Sequence, residues 1–598
     1  MLRKKWIFRT LDLDLVRSLE REAEISPVIA QLLAARRIVP ASISEFLEAP
    51  LTSLRPPDEL HDIPRAASLI VDAIKAKSKI CIFGDYDADG ITGTAILFRC
   101  FRLLHADVIY YVPNRISEGY GLSLSAIDQL HHDGVEFLVS VDCGITSIEQ
   151  VAHAKRLGMS VVITDHHSMA AELPCADAIV HPQHPDRPYP FSGLSGAGVA
   201  FKLAWAVCQR YSGSERVSAP QKSFLMSAVG MAAMGTIADV VPLLDENRIL
   251  VKQGLMHLTQ FSVPGIQQLL KVTQNDKKRS LDTDDVGFSL APRLNATGRL
   301  GQARLGVELL TVDHESRAAD LAAYIHHLND SRESLERGIL KAARQQIKDE
   351  NLQHEPAIVL AGRGWHPGVI GIVAGRIADE YNRPSIIISM DSMKTQPAMG
   401  SARSALGVNL FDAINRCREH LISFGGHPFA AGLKIADENI PIFRDEFSRV
   451  IAEEFAVARS EPELHIDAEI PLCYLTISTL NQLQKLAPYG AGHPHPLLAA
   501  SEVEFCDMRR MGKGELHFSA KVAQQNTKLR CVAFGQGDWM EELEQATPPF
   551  DIVFRPVVNE FNGFRKVEIQ LIDWRPSQDN QTIVPKQHTD PEIAQRLN

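Results

Sequence analysis

No two of the nine cysteines stand in a C-x-x-C pair, their number is odd, and they are scattered from Cys81 to Cys531. That excludes a zinc knuckle and a disulfide framework and points to a reducing, cytoplasmic setting. Positive charge is also short. The 62 Lys and Arg against 73 Asp and Glu leave a net charge of −11, which argues against a globally basic nucleic-acid binder but leaves room for a local basic groove. Long apolar runs are missing: the most apolar, Phe224 to Ala238, has 15 residues and contains Gly230 and Gly235. It is too short to span a bilayer. The amino terminus, M-L-R-K-K-W-I-F-R-T, has no apolar stretch behind its charges, so neither a secretory signal nor membrane association is expected. There is no short repeat, no P-loop, no G-x-G-x-x-G fingerprint and no nucleophile elbow, which lowers the standing of nucleotide-cofactor and acyl-transfer chemistry.

What is present is an ordinary globular composition, 45% hydrophobic and 23% charged over 598 residues, enough for about three to five domains. The stretch Ile80 to Thr94, I-C-I-F-G-D-Y-D-A-D-G-I-T-G-T, runs a short apolar strand into Asp85, Asp87 and Asp89, then into the glycines and hydroxyls of a helix start. Aspartates this close repel unless protonated, splayed into water or neutralised by cations. Metal ligation is one reading and an acidic surface turn the other.

From Leu69 onward, apolar strands alternate with helical lengths: Ile80–Phe83, Val108–Val112, Phe137–Val141, Val161–Thr164 and Ala178–Val180. That pattern predicts an α/β fold with a doubly wound parallel sheet covered on both faces. The first four strands end in Asp85-Tyr86-Asp87-Ala88-Asp89, Pro113-Asn114-Arg115, Asp142-Cys143-Gly144 and Asp165-His166-His167. In an open parallel sheet those ends share one edge. Asp239, among the apolar neighbours of the helical run Ser223–Val241, is costly to bury without a cation or donors and is the natural last partner. Aspartates with one or two neutral imidazoles suit Mg2+ or Mn2+. A pair of such ions favours phosphoester hydrolysis.

Downstream, Phe288 to Gly301 reads as a loop in which Arg293, Asn295 and Arg299 are placed to grip phosphate, or else as a domain-junction loop with solvated charges. The charged helical periodicity from Arg304 to about Asn351 suits a bridging helix. A second, smaller α/β unit starts at Ala357, with a Gly-rich turn at Gly362–Gly368 able to hold phosphate on its amides and small residues around Arg403 and His427. From about Glu461 to Trp574 short strands predict a small OB-like β-barrel. Its aromatics Phe518, Phe534, Phe554, Phe561 and Phe564, interleaved with Lys521, Lys528, Arg530, Arg555, Arg565 and Lys566, are either core or a single-strand-binding platform. The expected division is an amino-terminal arm over 1–60 packed on the adjoining domain, a catalytic domain over 61–300, a connecting helix over 301–351, a second α/β domain over 352–458, the barrel over 459–576 and a disordered tail over 577–598.

Taken in order, Asp85 to Gly90, Pro113-Asn114-Arg115, Val141-Asp142-Cys143-Gly144, Asp165-His166-His167 and Gly235-Thr236-Ile237-Ala238-Asp239 resemble the motifs of the DHH phosphoesterase family. The runs G-W-H-P-G-V-I-G from Gly364, G-S-A-R-S from Gly400 and G-G-H-P-F-A-A-G from Gly425 resemble its associated DHHA1 domain. With Ala291-Pro292-Arg293-Leu294-Asn295 and a trailing OB-like domain, the resemblance is to the branch of bacterial single-stranded-DNA-specific exonucleases. It implies 5′-to-3′ release of mononucleotides in recombination and repair, using two divalent ions, Mn2+ or Mg2+. Asp87, Asp89, Asp142, His166 and Asp239 match the family's metal ligands, with Asp142 as the bridge. Asp85 then orients the site or completes one ion, and His167 acts behind the ligands or on the phosphate. Arg376, Ser401, Arg403 and His427 match positions that hold the DNA backbone, and Arg115 is a further candidate for that contact. A monomer is expected, with a single-strand-binding protein and a helicase as candidate protein partners. The competing readings are another DHH phosphodiesterase acting on short oligonucleotides or cyclic dinucleotides, and a non-catalytic DNA-binding scaffold.

Overall fold

The computed structural model describes residues 4–577 apart from 24, 262, 279, 406, 456–462, 513 and 562–563. The chain forms two compact units, one of Ala49–Ser460 with Gly490–His493, the other of Met1–Glu48, Glu461–Tyr489 and Pro494–Asn598.

In the first unit, β1 (Ile80–Gly84) leads into α1 (Ala88–Leu103), followed by β2 (Val108–Tyr111), β3 (Phe137–Val141), β4 (Ser160–Thr164) and β5 (Ala178–Val180). All five strands are parallel, in the order β2-β1-β3-β4-β5. Alternate residues enter two cores: Ile80, Ile82, Val139 and Val162 pack on the face carrying α1, and Cys81, Phe83, Leu138 and Val161 on the other. That is why these strands are apolar at successive positions rather than at every second one. Helices α2 (Gly196–Ser212) and α3 (Ala219–Ala238) then stack on α1, and Ser218 with Gln221 closes a capping box at the start of α3.

The segment expected as a loop is helical. A π-helical turn over Asp285–Leu290 runs directly into α4 (Ala291–Arg299). Pro292 sits in the first turn of α4, where a missing N–H costs nothing. Gly298 is required by contact, since a Cβ there would lie 2.1 Å from the Tyr86 carbonyl oxygen. The residues that resemble loop punctuation are thus a helix start and a close approach. The long helix α5 (Glu315–Asp349) comes next.

It leads to β6 (Ile358–Arg363), α6 (Ile370–Tyr381), β7 (Ser385–Met390), β8 (Ala398–Arg403), β9 (Leu421–His427) and β10 (Ala430–Ile435). This sheet runs β9-β10-β8-β7-β6, with only β6 and β7 parallel. His427 pairs with Ala430, and Ala430 pairs with Arg403, so His427, Arg403 and, two residues along β8, Ser401 project from one face. Ala402 points the other way, into the core.

In the second unit, Leu498–Met511 pairs with both His517–Gln524 and Phe550–Phe561, and Thr527–Ala533 with Phe564–Pro576 completes a closed five-stranded barrel. Phe518 and Phe554 are core side chains, whereas Phe534 is 60% exposed. The expected stacking platform therefore loses two of its members to the interior. The side chains of Phe561 and Phe564 and the expected disordered tail beyond Ser577 lie outside the described residues. Two of the interleaved cations are already paired, Arg530 with Glu568 and Lys521 with Asp507.

Residues 5–48 correct the expectation of an arm packed on the adjoining domain, whereas Ala49, Leu54 and Leu60 do join that domain's core. Lys5–Phe8 pairs in parallel with Glu463–Ile466, and Val16, Leu19, Leu32 and Leu33 share one core with Leu498, Phe518 and Ile569 of the barrel. Their sequence-distant partners are invisible to local periodicity. No helix among the described residues is long and apolar enough to cross a membrane.

Leu33 is fully buried in that shared core, so Leu33→Ala will cost about 2–5 kcal/mol. Calorimetry should show the loss in the barrel unit's transition, with the transition of the unit containing α1 to α6 unmoved.

Candidate active site

Each strand end delivers its side chain through a local device. Asp87 is the N-cap of α1, its Oδ1 accepting from the amides of Asp89 and Gly90 at 3.0 Å each. The Asp89 carboxylate lies on the N-terminus of α2, accepting from Gly196 N at 2.6 Å and Ala197 N at 3.0 Å, where amides and helix dipole favour an anion. Asp142 follows β3 in the left-handed region, φ +62°, a conformation that Asp and Asn adopt more readily than other non-glycine residues. A Cβ on Gly196 would fall 2.4 Å from Asp142 Oδ1, so α2 can reach the carboxylate only with glycine there. Asp239 caps the C-terminus of α3.

These side chains converge on His166. Its Nε2 lies 3.1 Å from Asp142 Oδ1, 3.5 Å from Asp239 Oδ2 and 3.9 Å from Asp89 Oδ2. Three overlapping sets offer ligand atoms within 4.8 Å of one another: Asp89, His166 and Asp239; Asp85, Asp87 and Asp142; Asp142, His166 and His167. Asp142 belongs to two of them. Asp85 Oδ1, Asp142 Oδ1 and His166 Nε2 are buried without any hydrogen-bond partner, a cost of about 1–3 kcal/mol each when left so. Orphaned acceptors aimed at one another among carboxylates fit divalent cations and little else.

Electrostatics say the same. Burial and the neighbouring Asp87 push Asp89 up to about 7 and hold Asp85 well above the carboxylate range. Burial and then Asp89 and Asp87 push Asp239 up to about 8, and Asp142 is raised by burial and by Asp89, Asp87, Asp85 and Asp239. Burial and the His167 charge bring His166 down to about 4, leaving a neutral imidazole suited to ligation. His167 behaves oppositely: although burial opposes its charge, the bond from Nδ1 to Asp165 Oδ1 at 2.8 Å holds it up to about 9.

Asp165 is the residue the sequence reading passed over. Fully buried, it also accepts from the amides of Ile145, His166 and His167 and so fixes the histidine pair. The D-H-H run held the signal, but an acid after a strand reads equally well as a cap. Tyr120 was missed too: its hydroxyl donates to the Asp142 carbonyl oxygen at 3.1 Å and lies 3.2 Å from His167 Nδ1.

The expected phosphate contacts divide. The Arg299 guanidinium is pushed down to about 10 by burial and by the charges of Arg115, Arg332 and Arg403, with Asp87 opposing. It also donates to the Gly368 carbonyl of the second α/β domain at 3.4 Å. Arg115 lies 5.0 Å over the Tyr86 ring, and Arg403 donates to Ser401 Oγ at 3.2 Å. Arg115, Arg299, Arg403 and Ser401 are therefore brought together beside the carboxylates, while His427 shares the Arg403 face on the exposed edge strand. The others have protein partners. Arg293 donates to His326 Nδ1 at 3.2 Å and to the Ser289 carbonyl at 2.5 Å. Asn295 Oδ1 accepts from Ala88 N at 2.9 Å, holding the start of α1. Arg376 faces α5, with Nε 2.6 Å from Glu336.

Family models match over the same segments: the DHH family N-terminal domain at residues 79–236, the DHHA1 domain at 354–453 and the RecJ OB domain at 466–573. The chain is 35% identical over 570 residues to the single-stranded-DNA-specific exonuclease RecJ of Bacillus subtilis, covering 95% of this chain and 70% of that protein. It is 32% identical to the Escherichia coli RecJ, covering 96% and 98% of the two chains. The chain belongs to the RecJ family. Among solved structures, RecJ from Thermus thermophilus in complex with Mn2+ superposes with a TM-score of 0.80 at 30% identity, over 96% of this chain and 79% of that one. The same RecJ is also solved with Mg2+, and both ions are of the oxygen-seeking class that this RecJ-type cluster suits.

Asp89 and Asp239 sit at about 7 and about 8 against an ordinary 3.8 in the unfolded chain. The folded metal-stripped protein therefore binds more protons than the unfolded one, and its stability falls as pH rises from about 4 to about 8. His166, at about 4 against 6.5, opposes with one proton in the lower part of that window. Thermal melts of stripped protein should show Tm declining between about pH 6 and pH 8, and saturating Mn2+ should flatten the decline, because ligation displaces the same protons.

Proposed function

We propose that this chain is a single-stranded-DNA-specific exonuclease that hydrolyses phosphodiester bonds from the 5′ end, releases mononucleotides and serves recombination and repair. The observation that carries the reading is the carboxylate and imidazole cluster beside Arg115, Arg299 and Arg403, an anionic set suited to cations next to a cationic set suited to phosphate. Asp85, Asp87, Asp89, Asp142, His166 and Asp239 would hold two divalent ions, Mn2+ or Mg2+, with Asp142 offering a ligand atom to both sets, and such ions would supply the Lewis acidity that phosphodiester hydrolysis needs.

The chain's own residues do the rest. Arg299 and Arg403, from the two α/β domains, grip consecutive parts of the backbone with charge-assisted bonds. Protonated His167, held by Asp165, presents a charged donor toward the phosphate. The rigid starts of α1 and α2 keep the carboxylates in place during turnover. The carboxy-terminal barrel, matched by the RecJ OB model, separates this reading from DHH phosphodiesterases of short or cyclic substrates. A non-catalytic scaffold has no use for buried, mutually repelling carboxylates. By family likeness the enzyme works in the cytoplasm as a monomer, alongside a single-strand-binding protein and a helicase.

Labelled oligonucleotides blocked at one end decide polarity: with Mn2+, a 3′-blocked strand is degraded and a 5′-blocked one persists. Asp142→Ala removes digestion altogether, and Asp165→Asn lowers activity about 10- to 100-fold. Arg403→Ala raises KM about 10-fold or more through the lost charge-assisted bonds. Equal digestion of both blocked strands overturns the polarity, and an active Asp142→Ala overturns the site.

A further inference from the structure

We infer that Tyr120 is a base-stacking platform, its ring taking one nucleobase of the single strand beside the carboxylate cluster while its hydroxyl holds Asp142 in place. The inference rests on the nuclease reading above and adds to it a subsite that grips the base rather than the backbone.

Tyr120 belongs to the connection between β2 and the next helix, Leu124–His132. Gly119 and Gly121 flank it at φ +88° and +77°, so the chain turns sharply on both sides and sets the tyrosine on a projecting corner. The corner is well fastened. Asn114 Oδ1 accepts from the amides of Ile116 and Ser117 at 2.9 and 3.3 Å, and the Glu118 carboxylate accepts from Tyr111 Oη at 2.6 Å and from Asn114 N at 2.9 Å. The side chain is split between two environments. Its hydroxyl is turned inward, donating to the Asp142 carbonyl. Its ring nevertheless leaves the residue 48% exposed.

The surroundings of the ring favour an aromatic ligand. Tyr86 and His167 meet it near-perpendicularly, with centroids 6.3 and 5.7 Å away at 79° and 72°. The neighbouring Tyr86 ring already carries the Arg115 guanidinium. Among the described residues no ring stacks parallel on Tyr120 and no guanidinium lies over it. An exposed aromatic disc, fixed by its own hydroxyl at the point where the phosphate is held, needs little further ordering to bind a second disc. Stacking on an aromatic face is available to all bases, as an enzyme that must pass every nucleotide requires. The hydroxyl bond also braces the one carboxylate whose backbone is held at φ +62°, so the same residue couples base capture to the position of Asp142.

The test pairs protein variants with missing bases. Single strands carrying one abasic residue, moved stepwise through the first few positions from each end, are measured with wild type, Tyr120→Phe, Tyr120→Leu and Tyr120→Ala. Binding is read by anisotropy without divalent metal, and KM and kcat with Mn2+. At one position the abasic residue should weaken binding and raise KM for wild type and Tyr120→Phe by about 10- to 100-fold, and should cost Tyr120→Leu and Tyr120→Ala nothing further. Tyr120→Phe, lacking only the hydroxyl, should lower kcat with KM unchanged. A 2-aminopurine at that position should be quenched when wild type binds, a readout independent of whether any variant folds. Equal penalties across all four proteins at every position, or no quenching at any position, overturn the inference. If wild type neither binds nor digests intact single strands, the nuclease reading itself has failed.

Discussion

Mutual repulsion among carboxylates taken out of water is the constraint on which the rest of this structure depends. Asp85, Asp89 and Asp142 are nearly or fully buried, with Asp87 and Asp239 against them, and such a group of anions is unfavourable by several kcal/mol unless compensated. Part of the compensation is built into the backbone. The first turn of α1 donates to Asp87 and that of α2 to Asp89, so the sheet edge where the strands deliver acids is also where helix N-termini point. The remainder is withheld, in the orphaned oxygens of Asp85 and Asp142 and the orphaned nitrogen of His166. A fold that satisfied those atoms internally would be more stable without metal and would have nothing to offer one.

The arginines mirror this arrangement with the opposite sign. Burial and then the charges of Arg115, Arg332 and Arg403 lower the affinity of Arg299 for its proton, and burial and then Arg115 lower that of Arg403, so these cations too are held against their own field. Arg299 leaves the end of α4 and Arg403 the end of β8, and the bond from Arg299 to the Gly368 carbonyl ties the two α/β domains at that point. On the nuclease reading, cations on one side and a phosphate between would complete both clusters at once. The net charge of −11 is therefore compatible with a nucleic-acid substrate, because the positive field is needed only across a few ångströms.

How much the sequence made legible depends on range. Strand ends of a parallel sheet meet whatever the loops do, so the acids, His166 and Arg115 could be gathered from order and periodicity, whereas Arg403 and Ser401 of the second domain came from the family resemblance. The misread parts depend on contacts that periodicity does not carry. Pro292 and Gly298 mark a helix because Tyr86 packs against Gly298. Arg293 is turned to His326 and Asn295 to Ala88, so two polar side chains near the site serve the scaffold. Residues 5–8 find their strand partner at 463–466, and Asp165 and Tyr120 hold others in place rather than advertising a chemistry of their own.

The same distinction bears on the division of roles among the three acids of the D-Y-D-A-D run. Asp87 spends one oxygen on capping α1, and Asp89 places both of its oxygens on the amides of Gly196 and Ala197. A carboxylate oxygen has two lone-pair directions, so these commitments leave each residue able to ligate while fixing the direction from which a cation approaches. Asp85 is different: its Oδ1 is buried and uncommitted, and its ligand atom falls within the group formed with Asp87 and Asp142. An acid that only propped up its neighbours would be expected to hydrogen-bond them or their backbone with both oxygens. The free oxygen leaves Asp85 able to offer a cation a ligand atom beside those of Asp87 and Asp142, with Asp87 and Asp89 as the more rigidly aimed pair.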